Sequence, residues 1–111
     1  MPKEVTVVRV VVDHALKDKK DIEAYIKVMR ELTNEARKRP GYVTGETLVN
    51  TEDERNILVI ATWHSSKQFT DWYTPEIRQK VNGMYPLILT EPPRIRIYSH
   101  VMERKGRVWS T

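Results

Sequence analysis

Three histidines, a tryptophan followed ten residues later by an asparagine, and one isolated arginine are the side chains of this chain best suited to chemistry. His14, His64 and His100 are the groups that exchange protons near neutral pH. Their separations of 50 and 36 residues form no local metal-ligand motif. The chain also has no Cys, so no thiolate metal site, thiolate nucleophile or disulfide framework is expected. Trp72 offers a flat apolar wall and one N–H donor, or else it packs a helix on a sheet. Asn82 can orient a substrate oxygen, or, followed by Gly83, it can end a helix. His64 is a general base facing a cleft, or a solvated strand end. These three are the catalytic candidates. Phe69, Tyr73 and Tyr25 add ring surface and hydroxyl donors, with core packing as their ordinary role. Arg9 interrupts an apolar run, where a charge is costly unless paired or wet. It can anchor a carboxylate or phenolate, or pair with Glu46. Arg94, Arg96, Tyr98 and His100 share one face of the last predicted strand and can join it in a cluster.

The elements that must position these groups follow from spacing. Val5 to Val12 is β-branched apart from Arg9, which predicts a strand buried on most of both faces. Asp18 or Asp21 caps a helix whose stripe runs Ile22, Tyr25, Ile26, Met29, Leu32 and Ala36. Arg39-Pro40-Gly41 stops it. Tyr42 to Asn50 reads as a second strand, residues 51–55 as a hairpin loop, and Asn56 to His64 as a third strand. Ser65 with Gln68 has capping-box spacing, and Phe69, Trp72 and Tyr73 mark the inner face of the helix that follows. Thr74-Pro75-Glu76 is a second helix start, so that helix breaks and resumes with Ile77, Val81 and Met84. Pro86, Pro92 and Pro93 bound a linker, and Arg94 to Val101 alternates as a fourth strand.

The order β-α-β-β-α-β predicts an α+β, ferredoxin-like fold with an antiparallel sheet covered by helices on one face. The first and third strands are apolar on both sides, so the uncovered face needs a second cover. A second copy of the chain supplies it most simply, which predicts a homodimer.

Composition narrows the function classes. The 111 residues and 13.1 kDa amount to one domain, with a core over about residues 5–101 and a basic tail over 102–111. Hydrophobic residues make up 40% and charged residues 31%, an ordinary globular balance. The longest apolar run, Ile57 to Ala61, is too short for a bilayer, so no membrane partner is expected. No charged-then-apolar leader is visible, which predicts a cytoplasmic protein. The net charge of +4 is spread over helix ends and tail rather than gathered in a patch. RNA-recognition modules share this element order but stack bases on aromatics of their first and third strands. The first strand here has no aromatic, so no nucleic-acid partner is expected.

Arg39-Pro40-Gly41-Tyr42 leading into Gly45, then Trp63-His64-Ser65, then Phe69-Thr70-Asp71-Trp72, resemble the antibiotic biosynthesis monooxygenase family of dimeric α/β barrels. The resemblance runs from about Val5 to Val101. It implies a cofactor-independent monooxygenase that oxidises a small aromatic or quinol-type molecule with O2, with no cofactor and no metal. Phe-Thr-Asp-Trp also resembles the haem-degrading branch, which uses a first-strand Asn, a helix Trp and an axial His ten residues on. Trp72 matches that Trp, but Asn82 stands at the His position and the first strand has no Asn. Haem is therefore disfavoured, and a haem-degrading enzyme remains an alternative, as does a non-catalytic dimeric binder of small molecules.

Overall fold

A β-branched run pairs on both of its edges because its valines leave each side of the backbone free to bond and each face apolar. This run is β1 (Val8–Ala15), and it lies inside the sheet. The computed structural model describes residues 7–84 and 86–99. The remaining elements are α1 (Ile22–Ala36), β2 (Tyr42–Asn50), β3 (Asp53–Trp63), α2 (Ser66–Trp72), α3 (Pro75–Asn82) and β4 (Arg94–Ser99). The sheet order is β2-β3-β1-β4, with every neighbouring pair antiparallel. The expected α+β, ferredoxin-like arrangement is the observed one.

Local chemistry sets most boundaries. Asp18 accepts from the Lys20 N–H and starts a 3-10 turn ahead of α1, whereas Asp21 makes no side-chain cap. Gly41 holds φ at 96°, a left-handed angle that suits glycine, and turns the chain from α1 into β2. Ser65 Oγ accepts from the Gln68 N–H, and Thr74 Oγ1 from the Ile77 N–H, so two hydroxyl caps fix the break between α2 and α3. Two strands run longer than their composition predicts. β1 continues through Asp13 and His14 because the Asn56 amide donates to Asp13 Oδ1 and to the His14 carbonyl. β3 begins at Asp53 because Asn50 pairs with Asp53 and tightens the hairpin. Val5, His100, Val101 and the tail from residue 102 lie outside the described residues. No helix among the described residues is long and apolar enough to cross a membrane.

The pleat divides the strands into two faces. Val8, Val10, Val12 and His14 alternate toward the helices, with Ile57, Val59, Ala61 and Trp63 of β3 beside them. Arg9, Val11 and Asp13 alternate to the uncovered face, opposite Tyr98, Arg96 and Arg94 of β4. The helix-covered face holds the core, in which Val10, Leu16, Tyr25, Ile57, Trp63 and Leu89 are buried.

At one end of this core His14 and Tyr25 are both buried, with Tyr25 Oη and His14 Nδ1 sharing a hydrogen bond of 3.0 Å. Burial pushes the His14 imidazole down to about 4, against a smaller upward pull from Asp13, and pushes the Tyr25 phenol upward. Unfolded, His14 takes its proton near 6.5, so between about 6.5 and 4 the unfolded chain holds more protons and stability falls as the pH is lowered. The full loss is about 3 kcal/mol. Urea unfolding followed between pH 7 and 4 should show this decline, and His14→Gln should flatten its upper part. Equal slopes for the two proteins between pH 5 and 6.5 would remove His14 as the cause.

Candidate functional site

Large rings on one face of a short helix cannot lie flat on a sheet whose own face already carries a tryptophan. Trp63 ends β3 on the helix-covered face, 1% exposed. Its ring meets Tyr42 at 5.4 Å between centroids, and Phe69 and Trp72 at 5.8 Å each. Tyr73 stacks on Phe69 at 5.3 Å. These rings hold α2 away from the strands and leave a cavity of about 350 Å³ between sheet and helices.

Its inner wall is apolar: Val10, Val12, Ile95, Leu32 and Val81 join Trp63, Phe69 and Trp72. The exposed lining residues all come from α1 and its C-cap and from β2, namely Arg30, Asn34, Arg37, Gly45, Glu46 and Thr47. The mouth therefore lies between that helix and that edge strand. A β-bulge between Tyr42 and Thr44 brings Tyr42 and Gly45, three residues apart, to the same face of β2. The Tyr42 hydroxyl rests over Gly45, where an added Cβ would meet it at 2.7 Å. Glu46 pairs with Ile60 and alternates to the other face.

Trp72, Phe69 and Tyr73 line this cavity together. Trp72 Nε1 and Tyr73 Oη are closed off and have no hydrogen-bond partner among the described residues. A ligand thus meets the Trp72 ring rather than the N–H expected of it. Burial raises the Tyr73 phenol above its ordinary range, and the Arg78 guanidinium, 5.6 Å over the ring, pulls the other way.

The other candidates stand elsewhere. His64 is exposed beyond the end of β3, and its N–H donates to the Gly41 carbonyl at 2.7 Å, tying two turns together. Asn82 is the exposed last residue of α3, and Gly83 is the C-cap. Tyr25 sits in the first turn of α1 against His14, whereas the cavity runs along the later turns of that helix. Arg9 is exposed on the uncovered face beside Tyr98 and makes no ion pair with Glu46 among the described residues. An odd strand position cannot reach a cavity lined by Val10 and Val12. Residues that the sequence did not single out as site residues are Trp63, Tyr42, Thr33, Arg30 and Arg37. The Tyr42–Gly45 spacing was the available signal for the first turn of β2.

Among the described residues no three acidic or His side chains converge as a metal site. Among the described residues the lining includes no His, so none of them offers an axial imidazole for haem iron. The described lining residues do not fit haem.

The same backbone occurs in known structures. Crystal structures called antibiotic biosynthesis monooxygenase align with the described fold. The chain has the fold of the antibiotic biosynthesis monooxygenases. One such structure is 16% identical, covers 86% of this chain and 99% of its own, and has a TM-score of 0.71. SnoaB, a cofactor-independent oxygenase from Streptomyces nogalater, is 13% identical over 91% of this chain and 97% of its own, at a TM-score of 0.65. A conserved protein from Methanosarcina mazei Go1 is 14% identical over 85% and 92%, at 0.73. No family model and no curated protein matches the chain. In this fold the cavity lies between the sheet and the three helices described, walled by the aromatic cluster.

Trp72 is a wall of the cavity and part of the core, 9% exposed. Trp72→Ala should cost about 3 kcal/mol in urea unfolding and abolish quenching of tryptophan fluorescence by 2-naphthylmethanol. Trp72→Phe should keep the fold and most of that binding. Binding lost equally in both variants would mean that the indole N–H, not the ring, makes the contact.

Proposed function

We propose that this protein is a cofactor-independent monooxygenase acting on a small quinol or phenol. The observation that carries the proposal is the ring-walled, largely apolar cavity in a fold shared with a cofactor-independent oxygenase. Such chemistry asks little of a protein. The substrate supplies the electrons, and the site supplies a dry pocket and a path for protons. A bound quinol loses a proton to water at the mouth, since no His among the described residues lines the cavity. The resulting anion reduces O2. One oxygen atom bonds to a ring carbon and the other leaves as water, so quinol plus O2 gives hydroxyquinone plus water. Trp63, Phe69 and Trp72 exclude solvent from the ring, and the Tyr42 hydroxyl at the mouth donates to the substrate oxygen.

The test is oxygen uptake with 1,4-naphthoquinol in metal-free buffer containing a chelator. The expected outcome is one O2 consumed per quinol, a hydroxyquinone product, and loss of the enzymatic rate in Trp72→Ala. Saturable quinol binding with uptake no faster than in buffer would assign the non-catalytic binder instead.

The second part of the proposal is a homodimer through the uncovered sheet face. Val11, Leu58, Ile60 and Leu48 share that face, with Glu46 toward the β2 edge and Arg94 and Arg96 on the β4 edge. A two-fold axis along the strands sets β2 of one copy against β4 of the other, acid against base. Sedimentation equilibrium should give twice the chain mass, and Ile60→Lys should give the single-chain mass with unchanged circular dichroism. A wild-type monomer at all concentrations would end this proposal.

A further inference from the structure

We infer that the cavity selects aromatic molecules bearing an anionic substituent, whose charge is held at the mouth by Arg30 and Arg37. The inference rests on the cavity being the ligand site proposed above. Its basis is the contrast between the cavity's interior and its rim. Inside, the lining is apolar and aromatic, with the polar atoms of Trp72 and Tyr73 closed off. At the rim, Arg30, Thr33, Asn34 and Arg37 follow one another at helical spacing along one face of α1. Seven residues of helix separate the two arginines by about 10 Å, a span that two long side chains close upon one anion from both sides.

Neither guanidinium has an ion-pair partner among the described residues. The neighbouring Glu35 instead faces Lys80, at 3.9 Å. The carboxylate residue on the opposite side of the mouth, Glu46, alternates to the other face of β2. The rim thus sets two cations against one acid, Glu46, whose strand position faces away from the helices. A cation at the helix C-cap complements the helix dipole, which accounts for Arg37. Arg30 stands two turns earlier, where the dipole gives it no such role. The Tyr42 hydroxyl, seated over Gly45 across the mouth, adds a neutral donor beside the cations. A carboxylate or sulfonate on an aromatic ring meets both parts: the ring fills the apolar interior and the charge meets the rim.

The experiment compares 2-naphthoate with 2-naphthylmethanol by quenching of tryptophan fluorescence at low and high salt. The expected result is naphthoate bound about tenfold more tightly at low salt, with the advantage shrinking as salt rises. In the double variant Arg30→Gln, Arg37→Gln the advantage should disappear while binding of the neutral probe is unchanged. Equal affinities in the wild type, or an advantage that survives in the double variant, would overturn the charge selection and leave the cavity as a ligand site. Binding of neither probe would overturn the cavity itself, and the inference with it.

Discussion

Trp63 is the contact on which the rest of this structure depends. It closes β3 at the point where that strand pairs with Val8 of β1 and Tyr42 of β2. Its ring touches the helix rings on one side and the β2 ring on the other. A large rigid ring there sets the distance between sheet and α2, because close-packed interiors have no room to absorb it. The cavity is the space this prop leaves open. The same residue therefore stabilises the fold and shapes the site, and edge-to-face ring pairs add to its buried area.

The buried histidine–tyrosine pair and the cavity occupy opposite ends of the helix-covered face. His14 of β1 and Tyr25 of the first turn of α1 form a fully buried pair, with the imidazole held neutral by desolvation. The cavity opens along the later turns of the same helix, where its outward side carries arginines and its inward side Leu32 and Ala36. The His14 imidazole, a group that exchanges protons near neutral pH in water, is here a core residue, because removal from water costs its proton.

The two faces of the sheet divide the remaining tasks. One face carries the core and the cavity. The other carries Val11, Leu58 and Ile60 with flanking charges, and the valine-rich composition of β1 serves both at once. That double demand explains why β1 has few polar residues, and why Arg9 stands on the face where water or a second copy can meet it.

Element order, helix stops and the break between α2 and α3 were legible in the sequence because they rest on local chemistry. A hydroxyl caps the next N–H groups, proline starts a helix, and an apolar stripe recurs at helical spacing whatever surrounds it. The walls Trp72, Phe69 and Tyr73 were legible for the same reason, since helix periodicity already places them on one side. Which polar groups reach the cavity was decided only in three dimensions. His64 lies one residue past the strand end and turns to solvent, Asn82 falls on the outer side of α3, and one extra residue at the β2 bulge carries Gly45 to the face of Tyr42. Each outcome hangs on a single-residue phase, and the face reached by an alternating strand or a helix end depends on what it packs against, not on the residue's own chemistry.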